Sequence, residues 1–312
     1  MISTNVAYVA LVVTDVEATA TAFAHDFGLH RTDCVGPGGH RTPVFAVGAS
    51  ALALFAPTDP YLGDPAKPGV HHFALEVPDL ESAVRRAAAA GIAAVGAEPA
   101  PGLQSTRRWL LEPQTTCGVG TYLAEPLRLD RTGGGWVERI DHLGVASADN
   151  GEAIRTFVGR LGCPLESTQT DYEVQIGVES FTSDKYGVVY HTRPPQPVGG
   201  LRVAFVTVGD CELEFLQDFD PRQGASVAHD QPGTTQQDQG AIARFVASRG
   251  PGLHHVALKV SDINAALASL GRARHLLIDT VGRPGSRRAL IGFLHPKSLN
   301  GVLMHLVQRE SF

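Results

Sequence analysis

One phrase occurs twice in this chain. Residues 69–79 read GVHHFALEVPD, and residues 252–262 read GLHHVALKVSD. The distance to the next matching strand is also conserved within the chain, since 50 residues separate His72 from Tyr122 and 50 separate His255 from His305. Both segments predict a strand, an amphipathic helix and then further strands, in the order β-α-β-β-β. Such a repeat indicates duplicated structural units and constrains the fold more than any other feature.

A weaker relative of the same unit opens each half. Residues 5–29 and 138–163 both show an apolar strand, an Asp-containing turn that can cap a helix, and a helical stretch that ends at a glycine. We therefore predict an α+β protein of four βαβββ units, paired as two domains over residues 1–127 and 138–312. The Gly-rich residues 128–137 are the predicted linker.

The composition is consistent with two domains and limits which classes of binding partner are expected. The 312 residues suit two domains, and a net charge of -6 without a Lys/Arg cluster gives no footprint for nucleic acid or an anionic membrane. No apolar run is long enough for a membrane span, and the first residues lack the basic region of a secretory signal. The four cysteines are scattered. We expect a cytoplasmic protein with a small-molecule partner.

Polar side chains interrupt four predicted strands of the second half. His142 and His255 fall at equivalent positions when the strands are aligned, while Glu214 and His305 each stand in an otherwise apolar run. Because neighbouring strand residues point to opposite faces, we expect His255 rather than His254 to face the interior.

A buried imidazole or carboxylate needs a compensating partner. One divalent metal ion would serve all four side chains, and imidazoles with a carboxylate suit Zn, Mn, Co, Ni or Fe. The sequence thus predicts a metal site of His142, Glu214, His255 and His305, with Glu212 as the alternative carboxylate if the strand register slips.

The first half does not repeat this set. The positions equivalent to the four candidates hold Tyr8, Ala53, His72 and Tyr122. With one candidate ligand among four positions, the N-terminal domain is predicted to be metal-free and structural.

These residues resemble the vicinal oxygen chelate superfamily, also called the glyoxalase-dioxygenase superfamily, across essentially the whole chain. The resemblance implies paired βαβββ units that form a cupped mixed sheet around a divalent metal, with helices at its flanks. In local wording the second half is similar to the methylmalonyl-CoA epimerase family, notably in IDHLGVA, GLRVAFVTVGDCELEFLQ and IGFLHPKSLNGVLMHLVQ. That family's metal ligands map onto the same four residues.

Two positions depart from that family. The last ligand there is a glutamate, where this chain has His305, and the candidate proton-abstracting glutamate corresponds to Val198. The base is therefore expected from the segment inserted in the second half, where Glu179 and His191 are the candidates. The GRPGSRR stretch at residues 282–288 favours a basic hairpin loop over a clamp for an anionic substrate.

The resemblance implies an epimerase or isomerase that removes a proton next to a metal-bound carbonyl of a keto or thioester substrate. A keto-cyclitol or an acyl-CoA-like compound would fit. Two alternatives are an Fe(II)-dependent extradiol or 2-oxo-acid dioxygenase and a non-catalytic small-molecule binding protein. A homodimer is the expected assembly.

Overall fold

The computed structural model describes residues 2–3, 5–131, 135–175, 178–192, 194–219 and 240–309. The side chains of residues 172–175, 178, 179, 181, 191 and 196–198 lie outside this description.

The first half contains strands β1 to β8 and helices α1 and α2. Their bounds are β1 Asn5–Val12, α1 Val16–His25, β2 Arg31–Val35, β3 Arg41–Val47, β4 Ser50–Phe55, β5 Gly69–Glu76, α2 Leu80–Ala89, β6 Ala100–Pro101, β7 Arg107–Leu110 and β8 Thr121–Ala124.

The second half contains strands β9 to β18 and helices α3 to α5. Their bounds are β9 Val137–Ala146, α3 Asn150–Ile154, β10 Leu165–Gln175, β11 Val178–Ser183, β12 Gly187–Thr192, β13 Gln196–Val208, β14 Cys211–Phe219, α4 Gly240–Arg249, β15 Gly252–Val260, α5 Ile263–Arg272, β16 Arg283–Pro284, β17 Leu290–Leu294 and β18 Met304–Gln308. Helix α3 continues as a π-helical turn over Arg155–Arg160.

Both halves have the same sheet topology. Each forms an eight-stranded sheet, in the orders β2-β3-β4-β1-β5-β8-β7-β6 and β10-β13-β14-β9-β15-β18-β17-β16. The first and last strands of each unit pair in parallel, and the two units of a half meet along the antiparallel pairs β1–β5 and β9–β15. The predicted α+β fold of four βαβββ modules is confirmed. Strands β11 and β12 form a separate two-stranded sheet inserted between β10 and β13.

The same helix start marks all four units. Asp15, Asp79 and Asp262 each accept a hydrogen bond of 2.9 Å from the backbone N–H three residues later. Asp149 caps α3 in the same way through the N–H groups of Gly151 and Glu152. An aspartate at this position satisfies N–H groups that have no partner within the helix, so the repeated Asp fixes where each helix begins.

The two halves share one hydrophobic core. It combines buried residues of both sheets with the inner faces of the helices, from Val6 and Phe23 to Phe215 and Leu306. Polar contacts also join the halves, including Asp26 Oδ2 with His275 Nε2 at 3.0 Å. The outer faces of the sheets are thereby covered. The concave face of each sheet is either filled by side chains or open as a cavity.

The concave face of the first half is filled by side chains. Arg108 is only 5% exposed, and its guanidinium lies 3.4 Å from the ring centre of Tyr61 and 4.6 Å from that of Tyr122. The hydroxyl groups of Tyr8 and Tyr61 are 2.8 Å apart. No carboxylate among the described residues bonds Arg108; it donates to backbone carbonyls of Tyr61 and Pro101. Stacking on two aromatic faces therefore holds a buried cation.

Within the described part of the chain, no helix has both the length and the apolar character needed to cross a bilayer.

The filled concave face predicts unequal roles for two neighbouring arginines. Arg108→Ala should lower the free energy of unfolding by about 2 kcal/mol, because it leaves a void between two rings. Arg108→Met, which keeps most of the volume, should lose less. Urea denaturation followed by fluorescence measures both.

The control is Arg107→Ala on the same strand. Arg107 is half-exposed and pairs with Glu81 and Glu125 at the surface, where ion pairs contribute little. Equal unfolding midpoints for the Arg107 and Arg108 alanine variants would contradict a packing role for Arg108.

Candidate metal centre

Four adjacent strands of the second sheet place one polar side chain each on the concave face. His142 lies on β9, Glu214 on β14, His255 on β15 and His305 on β18. Their exposed fractions are between 3% and 7%. In the strand pairing, Gly144 stands beside both Glu214 and His255, and Ala257 stands beside both His142 and His305. The structure thus brings together all four residues that the sequence predicted as ligands.

The donor atoms of these side chains face a common point. Nε2 of His142 is 3.0 Å from Nε2 of His305, 3.4 Å from Nε2 of His255 and 3.2 Å from Oε2 of Glu214. The same Glu214 oxygen lies 3.6 Å from Nε2 of His255. One ligand atom from each of the three histidines lies within 4.8 Å of the others.

Gly144 makes room for this arrangement. A Cβ atom built on Gly144 would lie 2.0 Å from Cε1 of His255, which is far inside van der Waals contact. The first half has Ala10 at the equivalent position, beside His72. A glycine in the middle of a strand often indicates that another group approaches the backbone closely. Gly144 could therefore have been recognised from the sequence as part of the site.

A buried carboxylate orients His142. Asp141 is 1% exposed, and its Oδ2 accepts a hydrogen bond of 2.9 Å from Nδ1 of His142. Arg309 binds both carboxylate oxygens of Asp141, with Nη2 at 2.6 Å from Oδ2. A proton held on Nδ1 leaves the Nε2 lone pair directed at the cluster. The sequence did not predict this role, because it depends on the contact of Asp141 with Arg309, which lies far away in the chain.

His254 and His255 do not point to opposite faces of the sheet as simply as the sequence predicted. His254 also borders the concave cavity, because a register shift interrupts the pleat between Leu253 and His255. Nδ1 of His254 lies 3.0 Å from Nδ1 of His255, and its ring packs against Phe245 of α4. Burial lowers the pKa of His254 to about 3, so this ring is neutral. His254 supports His255 from outside the cluster.

The two carboxylates favour positive charge on His142, whereas burial disfavours it on His255 and His305. Burial alone would lower the pKa of His142, but Glu214 and Asp141 outweigh burial and raise it to about 9. Burial would likewise raise the pKa of Glu214, yet His142 and His255 hold it well below its usual value. Burial, together with the neighbouring imidazoles, lowers the pKa of His305 and of His255.

The donor set fits a divalent cation. Lone pairs on three Nε2 atoms that all face inward would repel one another, and a cation between them would remove that repulsion. Three nitrogens and one carboxylate oxygen suit borderline metals of the Zn, Mn, Co, Ni and Fe group. Nδ1 of His305 has no hydrogen-bond partner among the described residues, so only His142 and His255 have their rings fixed through the second nitrogen.

A cavity of about 250 Å³ adjoins the cluster. Its walls are mainly apolar and are completed by Ala241 and Ile242 of helix α4. The residues that form the apolar walls from the sheet are Leu201, Val203, Leu216, Ile291, Phe293 and Val307. Polar side chains of Asp171, Arg283 and Ser286 also line it. Such a pocket can enclose a small organic molecule with one end at the cluster.

Ion pairs involve both of the other site candidates that the sequence offered. Glu212, the other possible carboxylate, binds Arg287 through both carboxylate oxygens and so is engaged elsewhere. Arg287 also pairs with Glu166, and Arg283 pairs with Asp279. The GRPGSRR stretch therefore has structural ion pairs, as expected for a hairpin loop.

The predicted bases lie on the inserted hairpin. Glu179 on β11 stands opposite His191 on β12 in the backbone register. Their side chains, and that of Val198, are outside the described part of the structure, so the proposed role of Glu179 and His191 stays a prediction.

Comparison with known proteins identifies the family. A family model described as the glyoxalase/bleomycin resistance protein/dioxygenase superfamily matches residues 8–108 and 141–293. The chain belongs to this superfamily, as its resemblance to vicinal oxygen chelate proteins predicted. Members typically use a divalent metal.

The mitochondrial methylmalonyl-CoA epimerases are among the similar curated proteins. The enzyme of Dictyostelium discoideum is 28% identical over 131 residues, which are 40% of this chain and 69% of that protein. The human enzyme is 30% identical over 115 residues, which are 36% of this chain and 56% of that protein. The match thus spans only part of either relative.

A solved structure matches the whole chain. A variant of 4-hydroxymandelate synthase from Streptomyces coelicolor superposes with a TM-score of 0.65 at 17% identity, covering 100% of this chain and 95% of that one. At this identity the likeness shows the fold alone.

Proposed function

We propose that this protein is a divalent-metal-dependent epimerase or isomerase that moves a proton on the carbon next to a metal-bound carbonyl. The substrate would be a keto compound or a thioester, such as a keto-cyclitol or an acyl-CoA-like molecule. The observation that carries the proposal is the buried set of three imidazoles and one carboxylate beside an apolar cavity, present in one half of a duplicated chain.

His142, Glu214, His255 and His305 would hold the cation. When bound there, a divalent metal supplies Lewis-acid stabilisation of the negative charge on the substrate oxygen. Asp141 contributes by keeping the His142 ring in one tautomer and orientation.

The cavity walls serve the same chemistry. Leu216, Phe293 and the α4 residue Ile242 line the space beside the cluster and would exclude water once a substrate fills it. In a water-poor site, fixed charges and dipoles act more strongly on a developing enolate than they would in solvent.

The proton acceptor is proposed on the inserted hairpin, at Glu179 or His191. This segment has no counterpart in the first half, and long insertions in compact domains are often functional. A positioned base contributes about 10²- to 10⁴-fold to the rate of such proton transfers.

The substrate of the curated relatives is not carried over. Their names give methylmalonyl-CoA, but the identities are 28% and 30% and the matches cover 69% and 56% of those proteins. Histidine at position 305 and valine at position 198 also depart from the epimerase-like pattern. We therefore favour a keto compound and keep methylmalonyl-CoA as a probe.

Removing one imidazole tests the metal ligands. His305→Ala should weaken zinc affinity at least tenfold, because a ligand is lost from the set. His72→Ala, which truncates the matched histidine of the first half, should leave zinc affinity unchanged. Competition against a chromophoric chelator measures both; equal affinities for the His305 variant and the wild type would remove His305 from the ligand set.

Deuterium exchange tests the reaction. Metal-loaded protein in D₂O, kept anaerobic, should exchange the proton next to the ketone of 2-keto-myo-inositol or the α-proton of methylmalonyl-CoA, seen as loss of the NMR signal. The His255→Ala variant should exchange at least about 10²-fold more slowly, since charge stabilisation by the metal is lost.

The same sample also distinguishes the rival chemistry. Oxygen uptake with Fe(II) and no anaerobic exchange of either probe would contradict the isomerase proposal and indicate a dioxygenase. Tight binding of a probe with neither reaction would indicate a binding protein.

A further inference from the structure

Strand β10 carries a carboxylate into the cavity at a distance from the metal centre. Asp171 pairs with Leu201 of β13 in the register, and both side chains line the cavity. Glu214 pairs with Phe205, four residues further along β13. Asp171 thus lies two strands away from Glu214 and several residues along the register, although the charge of Glu214 still acts on its carboxylate.

Asp171 is held in place but not neutralised. The Gln169 amide nitrogen donates to its two oxygens at 3.2 and 3.0 Å, and also to Ser286 Oγ at 2.8 Å. No cation among the described residues pairs with Asp171. The two arginines that line the cavity are engaged by other carboxylates, Arg283 by Asp279 and Arg309 by Asp141.

An unpaired carboxylate in a mainly apolar wall is unfavourable for folding. Burial raises the pKa of Asp171, the charge of Glu214 adds to this, and the Gln169 hydrogen bond offsets it only in part. Leu201 and Val203, which line the cavity from the neighbouring strand, are apolar, so packing against them would favour an apolar side chain at position 171. A carboxylate kept here at a cost to stability is typical of a ligand-binding residue.

We infer that Asp171 is a substrate-binding residue that accepts hydrogen bonds from hydroxyl groups at the end of the substrate remote from the metal. The inference rests on the proposed function and specifies its substrate class. A carboxylate accepts and does not donate, so its partner must be a donor, and it repels a phosphate or carboxylate. The preferred substrate is then a hydroxylated ketone rather than a plain acyl group.

Two ketones of similar ring size test the inference. 2-Keto-myo-inositol and 2-hydroxycyclohexanone share a carbonyl beside a hydroxyl, and only the first has hydroxyls around the rest of the ring. The zinc-loaded wild type should bind the first at least about tenfold more tightly by calorimetry, as hydrogen bonds to a charged group allow. Asp171→Asn should lose at least tenfold for 2-keto-myo-inositol and little for 2-hydroxycyclohexanone.

Glu166→Gln is the matched control, because it makes the same chemical change on the same strand outside the cavity. It should leave both affinities unchanged. The urea midpoint of Asp171→Asn should equal or exceed that of the wild type. The inference would be overturned if the wild type bound both ketones equally, or if the Asp171→Asn variant still preferred 2-keto-myo-inositol. It would also be overturned if Asp171→Asn lowered the urea midpoint and bound neither ketone.

Exchange in D₂O separates this inference from the proposed function. Exchange of both ketones without a difference in affinity would refute the hydroxyl-binding role of Asp171 and leave the proton transfer supported. Tenfold discrimination that depends on Asp171, without exchange of either ketone, would support the hydroxyl-binding role and contradict the isomerase proposal.

Discussion

Three imidazoles and one carboxylate meet in a buried space, and a cation between them would bind a donor atom of each side chain at once. The nitrogen atoms of His142 and His305 are 3.0 Å apart, closer than two uncharged lone pairs would lie without a shared proton or cation. Neighbouring features depend on this contact: Gly144 leaves space for the His255 ring, and Asp141 with Arg309 holds the His142 ring.

Duplication explains why the chain contains the same phrase twice and why the two copies differ. His72 and His255 occupy the same place in equivalent sheets, beside Ala10 and Gly144 respectively. In the first half, the concave face is filled with tyrosines around Arg108, so the space is used for packing. In the second half, the equivalent space is a cavity beside the imidazoles. One architecture thus supplies a scaffold and a site.

The sequence predicted the fold and the convergence of four side chains because the repeated sequence motif aligns equivalent strand positions in the two halves. Matching positions in two copies gave the register without any contact being known, and the observed pairing agrees. Gly144 and Asp141 were missed since their roles depend on contacts between distant segments or on the exact approach of a ring. A register shift before His255 interrupts the alternation of side chains between the two sheet faces, so His254 does not point away from the cavity as expected. The domain boundaries, the ligand role of the four residues, the base and the homodimer stay predictions.

Anomalous diffraction tests the central claim most directly. A crystal of the protein loaded with zinc, measured on both sides of the zinc absorption edge, should give one strong peak per chain among His142, Glu214, His255 and His305, and none at Tyr8 and His72. A zinc-loaded crystal whose anomalous map lacks a peak at these imidazoles, or places it in the first half, would contradict the account.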